Sequence, residues 1–286
     1  MTQRHFLPEN PCLLVSLLSG LIGGVFLVFI FYIRAADSPL FHTHAAAAAA
    51  TSPLQTTPIQ LRAILHYATS TVVPQQTIDE ITISFDVLRS LSPCNFLVFG
   101  LGHDSLMWAS LNPRGTTLFL EETPEWVQTT LKIVPDLNAH AVNYTTKLYE
   151  SNDLLSSYKS EPDCFPPDKA YLKNNERCRL ALNMLPDEVY DKEWDLIMID
   201  APRGYFDEAP GRMAAIYSAA VMARKRKGSG VTHVFLHDVD RKVEKAYAEE
   251  FLCRKYLVKG VGRLWHFEIP PAAKVTEEGS ESAGFC

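Results

Sequence analysis

Short apolar runs of strand length alternate with segments of helical periodicity over most of this chain. Five such runs are predicted to be strands, at residues 95–99, 116–120, 139–145, 194–200 and 232–238. Helical patterns flank and separate them, at residues 59–68, 74–90, 106–111, 124–134, from 151 onward, 209–227 and 243–253. Strands that alternate with helices predict an α/β fold with a mostly parallel sheet. Residues 256–261 and 264–269 predict a hairpin that follows the last parallel strand.

The first strand turns into a helix through Gly100 and Gly102. Glycines let the backbone approach a ligand, and a helix N-terminus presents free N–H groups to it. The next strand ends in Glu121 and Glu122, at the spacing where an acid meets ribose hydroxyls in a doubly wound fold. Ser105 stands where a dinucleotide site usually has glycine, which counts against NAD and leaves S-adenosylmethionine as a candidate ligand. Close strand–helix packing and an ordinary solvated turn are the alternatives for these glycines and acids.

Acidic and imidazole side chains also follow the fourth and fifth predicted strands. Asp200 ends one of them, and His237 and Asp238 end the other. Ligands of open parallel sheets bind outside the carboxyl ends of the strands. We therefore expect these residues to meet the glycine turn at one site, with a hydrogen-bonded structural histidine as the alternative for His237.

The overall charge argues against nucleic acid as a partner. The chain has 286 residues, a formal net charge of −6 and 47% hydrophobic residues, enough for one globular domain with appendages. One dense basic run occupies residues 224–227 and has the composition of a solvated helix end. A basic patch that faces an acidic substrate is the alternative. The sequence indicates no particular oligomeric state.

The first 58 residues of the chain have the pattern of a membrane anchor and a stem. Residues 11–33 are apolar and uncharged, long enough to cross a hydrocarbon core of about 30 Å. We expect a single-pass type II protein with a cytoplasmic tail at 1–10, an anchor at 11–33 and a flexible stem at 34–58. A cleaved signal peptide is the alternative. The globular domain is expected at 59–270, with a disordered tail at 271–286.

Six cysteines are present without any Cys-x-x-Cys pair, so the sequence does not predict a zinc site. Cys164 and Cys178 flank a loop and form the most favourable disulfide pair if the domain is luminal. Asn143 begins the sequon Asn-Tyr-Thr, which predicts glycosylation in the same compartment.

Four segments of the chain resemble a plant cell-wall family. They are residues 95–108 (NFLVFGLGHDSLMW), 194–202 (WDLIMIDAP), 208–213 (EAPGRM) and 233–238 (HVFLHD). The family contains glucuronoxylan 4-O-methyltransferases, arabinogalactan O-methyltransferases and members implicated in xylan deposition. The similarity extends from about residue 61 to residue 269. Two further segments, 161–166 (EPDCFP) and 262–267 (GRLWHF), resemble the arabinogalactan members most.

This resemblance implies a Rossmann-like S-adenosylmethionine-dependent methyltransferase fold, with a mostly parallel sheet, a C-terminal hairpin and one preceding transmembrane helix. It implies an enzyme of the Golgi membrane, with its catalytic domain in the lumen, that methylates O-4 of glucuronic acid on an acidic cell-wall polysaccharide. We expect arabinogalactan to be the acceptor. Glucuronoxylan, and a non-catalytic role in xylan synthesis, are the alternatives. A nucleotide-sugar or NAD enzyme is disfavoured because no pyrophosphate loop is present.

The resemblance also suggests residues for the methyl donor. Gly100 and Gly102 are expected to contact its methionine part, and Glu121 or Glu122 its ribose. Asp200 is expected to hold the ammonium group of the donor or a divalent metal cation.

Methyl transfer requires an in-line approach of the acceptor hydroxyl, which must also lose its proton. Asp200, His237 and Asp238 are the candidates for this catalytic role, and Asp200 with Asp238 is a plausible cation-binding pair. A glucuronate carboxylate is best bound by a guanidinium. Arg203 and Arg212 are predicted to bind it, with a structural salt bridge at the helix start as the equal alternative for Arg212.

Overall fold

The computed structural model describes residues 56–272 and 284–286. Residues 57–286 contain one compact unit, within which all the elements below lie. The predicted tail and anchor, and nearly all of the predicted stem, lie outside the described residues. Within the described part of the chain, none of the helices has the length and apolar character needed to cross a membrane. The anchor at 11–33 therefore stays a prediction.

Seven strands form a single sheet in the order β3-β2-β1-β4-β5-β7-β6. They are β1 Asn95–Phe99, β2 Thr116–Glu121, β3 Asn138–Ala141, β4 Leu196–Ile199, β5 Thr232–Leu236, β6 Leu257–Val261 and β7 Leu264–Ile269. The first five are parallel, and β7 runs antiparallel between β5 and β6. The structure is therefore a Rossmann-like α/β fold, so the predicted mostly parallel sheet and its closing hairpin are confirmed.

The strand order reverses between β1 and β4, which are neighbours in the sheet although two strands and four α-helices separate them in the chain. Phe99 at the end of β1 pairs with Leu120 of β2 on one side and with Ile199 of β4 on the other. Chain connections leave a crevice where the order of a parallel sheet reverses. The glycine turn after Phe99 therefore opens directly into that crevice.

Helices cover both faces of the sheet. They are α1 Pro58–Thr69, α2 Ile78–Leu91, α3 Ser105–Leu111, α4 Pro124–Ile133, α5 Ser151–Ser157, α6 Asp187–Asp191, α7 Met213–Arg224 and α8 Lys242–Tyr247. Alternate residues of β1 contribute to different apolar clusters, since Leu97 and Phe99 face one side and Phe96 and Val98 the other. This period of two is what buries a parallel strand on both faces.

Helix α7 begins at Met213 rather than at residue 209. The preceding segment is held outside the helix by hydrogen bonds to distant parts of the chain. The hydroxyl of Thr146 donates to the Pro210 carbonyl oxygen (2.9 Å), and the Gly211 N–H donates to the Arg203 carbonyl oxygen (2.9 Å). Gly211 has φ +68°, a left-handed conformation that ends any helical continuation toward the N-terminus.

Two disulfides lie in the described part of the chain. One joins Cys164 and Cys178, the pair expected from the sequence. The other joins Cys253 to the last residue, Cys286. Phe285 is only 4% exposed and packs edge-on against Phe251, with ring centroids 5.1 Å apart. The prediction of a disordered tail over 271–286 is therefore wrong for residues 284–286, where one aromatic side chain and one cysteine bind the terminus to the core.

Candidate active site

A cavity of about 340 Å³ lies at the carboxyl ends of β1, β2 and β4. Four residues expected at the site line it: Gly100, Gly102, Glu121 and Asp200. The segment 72–76, which connects α1 to α2, lines another side of the cavity. Sequence reasoning missed this segment because nothing local in it signals a ligand. Only the packing of the two N-terminal helices on the sheet brings it to the crevice.

Glycine is required at position 100 for two reasons. Its φ of +127° is a conformation that side chains rarely permit, and a Cβ there would stand 3.3 Å from the Cβ of Ala201. The turn is then fixed by Ser105, whose hydroxyl oxygen accepts a hydrogen bond from the Gly102 N–H (2.9 Å). Ser105, which stands where a dinucleotide site usually has glycine, therefore fixes the glycine turn through a hydrogen bond to the turn's own backbone.

The two acids that end β2 have different surroundings. Glu121 lines the cavity, and its carboxylate accepts hydrogen bonds from the N–H groups of Leu101 (3.1 Å) and Thr123 (3.0 Å). Burial raises the pKa of Glu121 although both hydrogen bonds act in the opposite direction. Glu122 is not among the lining residues and pairs instead with Arg203 (2.9 Å). Of the two acids expected to contact the donor ribose, only Glu121 lines the cavity, so the expectation for Glu122 is corrected.

Asp200 receives hydrogen bonds from three sides. Oδ1 lies 2.9 Å from Nδ1 of His237 and 3.3 Å from Nη2 of Arg212, and Oδ2 accepts from the side-chain amide of Gln76 (3.0 Å). Burial alone would raise the pKa of Asp200, but the hydrogen bond from His237 and the charge of Arg212 outweigh it, so this pKa is lowered. An ionised carboxylate therefore lies at the end of β4, oriented toward the cavity by fixed partners.

A third acid, Asp104, lines the cavity as well. Asp104 immediately precedes α3, and its side chain makes no capping hydrogen bond to that helix. Its Oδ2 accepts a hydrogen bond from the indole N–H of Trp108 (2.7 Å). Burial raises the pKa of Asp104, opposed by this hydrogen bond. The cavity therefore holds three carboxyls: the pKa values of Asp104 and Glu121 are raised, and that of Asp200 is lowered.

His237 is fully buried and is not among the residues that line the cavity. Its Nε2 atom has no hydrogen-bond partner within the described structure and lies 3.8 Å from Oε1 of Glu80. A side chain in this position cannot reach an acceptor hydroxyl. The expectation that His237 acts as a base is therefore corrected: it positions Asp200.

Asp238 is only 3% exposed and is surrounded by arginines. Its carboxylate lies 2.8 Å from Arg212, 2.9 Å from Arg241 and 2.6 Å from Arg263. Its backbone is left-handed, with φ +60°. Asp238 therefore binds the loops that follow β4, β5 and β6 to one another, and it is not placed to act on a substrate.

The expected cation pair does not fit this arrangement. The donor atoms of Asp200, His237 and Asp238 lie within 4.8 Å of one another, a spacing that a metal ion could bridge. However, the Arg212 guanidinium already lies within 3.3 Å of both carboxylates. A second cation at this position would repel the guanidinium in a buried, low-dielectric region. The residues present therefore argue against a resident metal between Asp200 and Asp238.

The two arginines after β4 have different roles. Arg212 is only 4% exposed and donates hydrogen bonds to the carbonyl oxygens of His237 (2.7 Å) and Pro202 (3.3 Å). Its expected contact with the acceptor is therefore wrong, and the structural alternative holds. The side chain of Arg203 is half-exposed, and it contacts Glu122 through Nε, which leaves its other guanidinium N–H groups available to a ligand.

Asn143, the expected glycosylation site, is exposed just after β3.

A family model described as IRX15/IRX15L/GXM matches residues 79–267. The chain belongs to this family. Arabinogalactan O-methyltransferase 1 of Arabidopsis thaliana is 63% identical over 94% of this chain and 94% of its own length. Arabinogalactan O-methyltransferase 2 of the same plant is 60% identical over 99% of this chain and 97% of its own length. Glucuronoxylan 4-O-methyltransferase 2 is 51% identical over 73% of this chain and 70% of its own length.

Every cavity residue discussed above, apart from segment 72–76, falls within the part of the chain that the family model matches. The resemblance inferred from the four sequence motifs is therefore confirmed at the level of the family.

Proposed function

We propose that this chain is an S-adenosylmethionine-dependent methyltransferase that methylates O-4 of glucuronic acid residues on arabinogalactan. The observation that carries the proposal is the cavity at the switch point of a methyltransferase-type sheet, with Gly100 and Glu121 at its wall. Identity to the two arabinogalactan O-methyltransferases, at 63% and 60%, exceeds the 51% to a glucuronoxylan 4-O-methyltransferase. Glucuronoxylan is therefore the second candidate acceptor.

The cavity residues fit the parts of the donor. The missing side chain at Gly100 leaves the close backbone surface that a methionine moiety needs, and Glu121 offers its remaining acceptor capacity to ribose hydroxyls. The lowered pKa of Asp200 keeps its carboxylate ionised, which suits a bound ammonium group. When bound, the donor supplies an electrophilic methyl group on a sulfonium.

The acceptor hydroxyl must be aligned and must lose a proton. Three carboxyls line the cavity, and burial raises the pKa of two of them, Asp104 and Glu121. Because Glu121 is assigned to the ribose, Asp104 is the proton acceptor. The half-exposed guanidinium of Arg203 is suited to the acceptor carboxylate. Pairing with Glu122 holds that guanidinium at the carboxyl edge of the sheet, next to the loop that follows Asp200. The chain thus supplies orientation, charge and a proton acceptor.

The activity test is transfer of labelled methyl groups by the purified protein. Arabinogalactan should be labelled, and prior enzymatic removal of its glucuronic acid should abolish the label. Equal or faster labelling of unmethylated glucuronoxylan would overturn the acceptor preference and leave the chemistry intact. Donor binding measured by calorimetry, without turnover on either polymer, would favour the non-catalytic alternative.

For the cellular location we propose a single-pass type II protein of the Golgi membrane, anchored by residues 11–33 with residues 59–270 in the lumen. The uncharged apolar run and the stem-like composition behind it support this topology. A chain that starts at Ile59 should be recovered in the soluble fraction and still bind the donor, whereas the full chain should sediment with membranes. Recovery of the full chain in the soluble fraction would contradict the anchor.

A further inference from the structure

A second cavity, of about 320 Å³, lies at the opposite edge of the sheet from the active site. Glu193, just before β4, lines this second cavity, whereas Asp200, just after β4, lines the first. At about 3.3 Å per residue, the intervening chain separates the two by roughly 20 Å. We call the second cavity the basic groove, because most of the charged side chains that line it are cationic.

Five cationic side chains line the basic groove: Lys173, Lys192, Lys225, Arg226 and Lys227. Only two acidic side chains line it, Asp191 and Glu193. This excess of positive charge occurs on a chain whose formal net charge is −6. The groove therefore concentrates positive potential in one concave place, which attracts anions selectively.

Three of the five cations have acidic partners. Lys173 lies 2.9 Å from Asp187, and Arg226 lies 2.9 Å from Asp195. Lys192 makes a longer contact with Glu188, at 3.7 Å. The two lysine pairs lie at the surface and stabilise the fold only weakly, whereas the Arg226 side chain is largely buried. All three pairs compensate charge.

The other two cations, Lys225 and Lys227, have no carboxylate oxygen within 4.0 Å of their ammonium groups in the part of the chain that the structure describes. Asp168 is the acid whose charge acts on Lys225, from outside contact distance. Glu193 accepts a hydrogen bond from the backbone N–H of Lys227 (2.7 Å), and its charge acts on the Lys227 ammonium only at longer range. Two ammonium groups without a carboxylate in contact, just past the end of α7, thus line the same groove.

Aromatic and apolar side chains form the remaining walls. Tyr171 is 39% exposed, and Tyr190 has the ammonium of Lys173 5.9 Å from its ring centroid. Met222 adds an apolar surface. Aromatic rings bind the C–H faces of sugars, and ammonium groups bind carboxylates. A surface that combines the two matches a glycan that carries uronic acids better than it matches an inorganic anion.

We infer that the basic groove binds a second, uronic-acid-containing segment of the polysaccharide on which the active site acts. The inference rests on the proposed function for the identity of that polymer. Segment 171–173 comes from the loop closed by the Cys164–Cys178 disulfide, so the loop and the end of α7 together form the groove. A polysaccharide long enough to reach both the groove and the active site binds more tightly than a short one, because its second contact is intramolecular. The groove therefore favours long acidic polymers as acceptors.

The test compares two charge-reversal variants of the full chain. The groove variant is Lys225→Glu with Lys227→Glu. The control is Lys132→Glu with Lys259→Glu, which makes the same change in net charge at two exposed lysines that, within the described structure, also lack an ion pair. The probes are a glucuronic-acid-bearing arabinogalactan oligosaccharide and the same oligosaccharide after its carboxyl groups are reduced to alcohols.

Calorimetry should show roughly tenfold weaker binding of the acidic oligosaccharide to the groove variant, with the control near wild type. The reduced oligosaccharide should bind weakly and equally to all three proteins, and donor affinity should not change. In methyl transfer, the groove variant should raise KM for the polymer and leave a short acceptor unaffected.

Equal weakening in the control would overturn the inference, since net charge alone would then explain the binding. Loss of binding to phosphatidylinositol vesicles, with oligosaccharide binding unchanged, would overturn it in favour of a membrane surface. If the acidic oligosaccharide binds in the groove but no polymer is methylated, the proposed function fails while the anionic-glycan site stands.

Discussion

The Nδ1 atom of His237 lies 2.9 Å from Oδ1 of Asp200, and the histidine side chain is fully buried while Asp200 lines the cavity. This pairing separates two residues that the sequence placed in one catalytic group. The aspartate faces the ligand, and the histidine fixes its orientation from behind. A charge with fixed partners needs little reorganisation when a ligand binds.

Asp200→Asn should reduce donor affinity and turnover together, because it removes the carboxylate assigned to the donor ammonium. Asp104→Asn should instead lower turnover by about 10²- to 10⁴-fold with a smaller effect on donor affinity, as expected for a lost general base. Calorimetric donor binding and labelled methyl transfer measure the two quantities separately. Asp86→Asn, at an exposed acid of α2, is the control and should leave both unchanged. Unchanged turnover in Asp104→Asn would exclude it as the base.

The stability of the protein in acid should also depend on Asp200. Its pKa in the folded state is lowered from the ordinary value of 3.8, so its favourable contribution is complete above that value. The contribution is lost as pH falls through the folded-state pKa, because protonation then breaks the interaction with Arg212. The difference in unfolding free energy between wild type and Asp200→Asn should therefore shrink as pH falls below about 3.8, as measured by urea denaturation. A difference that stays constant down to pH 2 would contradict the lowered pKa.

Glu121 and Glu122, at the end of β2, provide a matched pair of variants. Glu121→Gln should weaken donor binding by about 1–3 kcal/mol, because it removes a charged acceptor at the cavity wall. Glu122→Gln should leave donor affinity unchanged, since this side chain pairs with Arg203 outside the cavity lining. Calorimetry on both variants decides the assignment. Weaker donor binding in Glu122→Gln than in Glu121→Gln would reverse it.

Gly100→Ala should abolish donor binding and lower the free energy of unfolding by about 1–3 kcal/mol, owing to its left-handed backbone and the crowding against Ala201. Gly230→Ala is the control, because Gly230 has φ +98° but a Cβ there would meet nothing within 4 Å. The control should lose unfolding free energy only through its unfavourable backbone conformation, and it should bind the donor normally. If Gly100→Ala binds the donor as tightly as the control does, the glycine turn does not contact the ligand.

The C-terminal residues should contribute measurably to stability. Phe285→Ala removes a buried aromatic ring and should cost about 3–5 kcal/mol of unfolding free energy. Arg224, which donates to the Phe285 carbonyl oxygen (2.8 Å), should keep that hydrogen bond in the variant because the backbone is unchanged. Phe206→Ala, at a side chain that is 41% exposed, should cost far less. Chemical denaturation under non-reducing conditions measures both, and equal small losses would show that the terminus does not pack in solution.

Much of this fold follows from local sequence pattern. The predicted strand at 95–99 coincides with β1, and the predictions at 116–120 and 232–238 locate β2 and β5. Continuous apolar runs of four to eight residues, bounded by turn residues and rich in β-branched or aromatic side chains, are typical of strands buried on both faces, so length and flanking residues predicted these elements. The glycine turn and the acids after the strands likewise placed the site at the carboxyl edge of the sheet.

The tertiary structure alone decided which polar side chains face the ligand. Glu121 and Glu122 are adjacent in sequence, yet successive side chains at a strand end point in opposite directions, and only the packing around β2 determines which one lines the cavity. Arg212 and Asp238 are residue types that often act on substrates, but here both side chains are buried and form an ion pair with each other at 2.8 Å, so their role is structural. Contacts between residues far apart in the chain set burial and charge pairing, and the sequence pattern near each residue does not contain them.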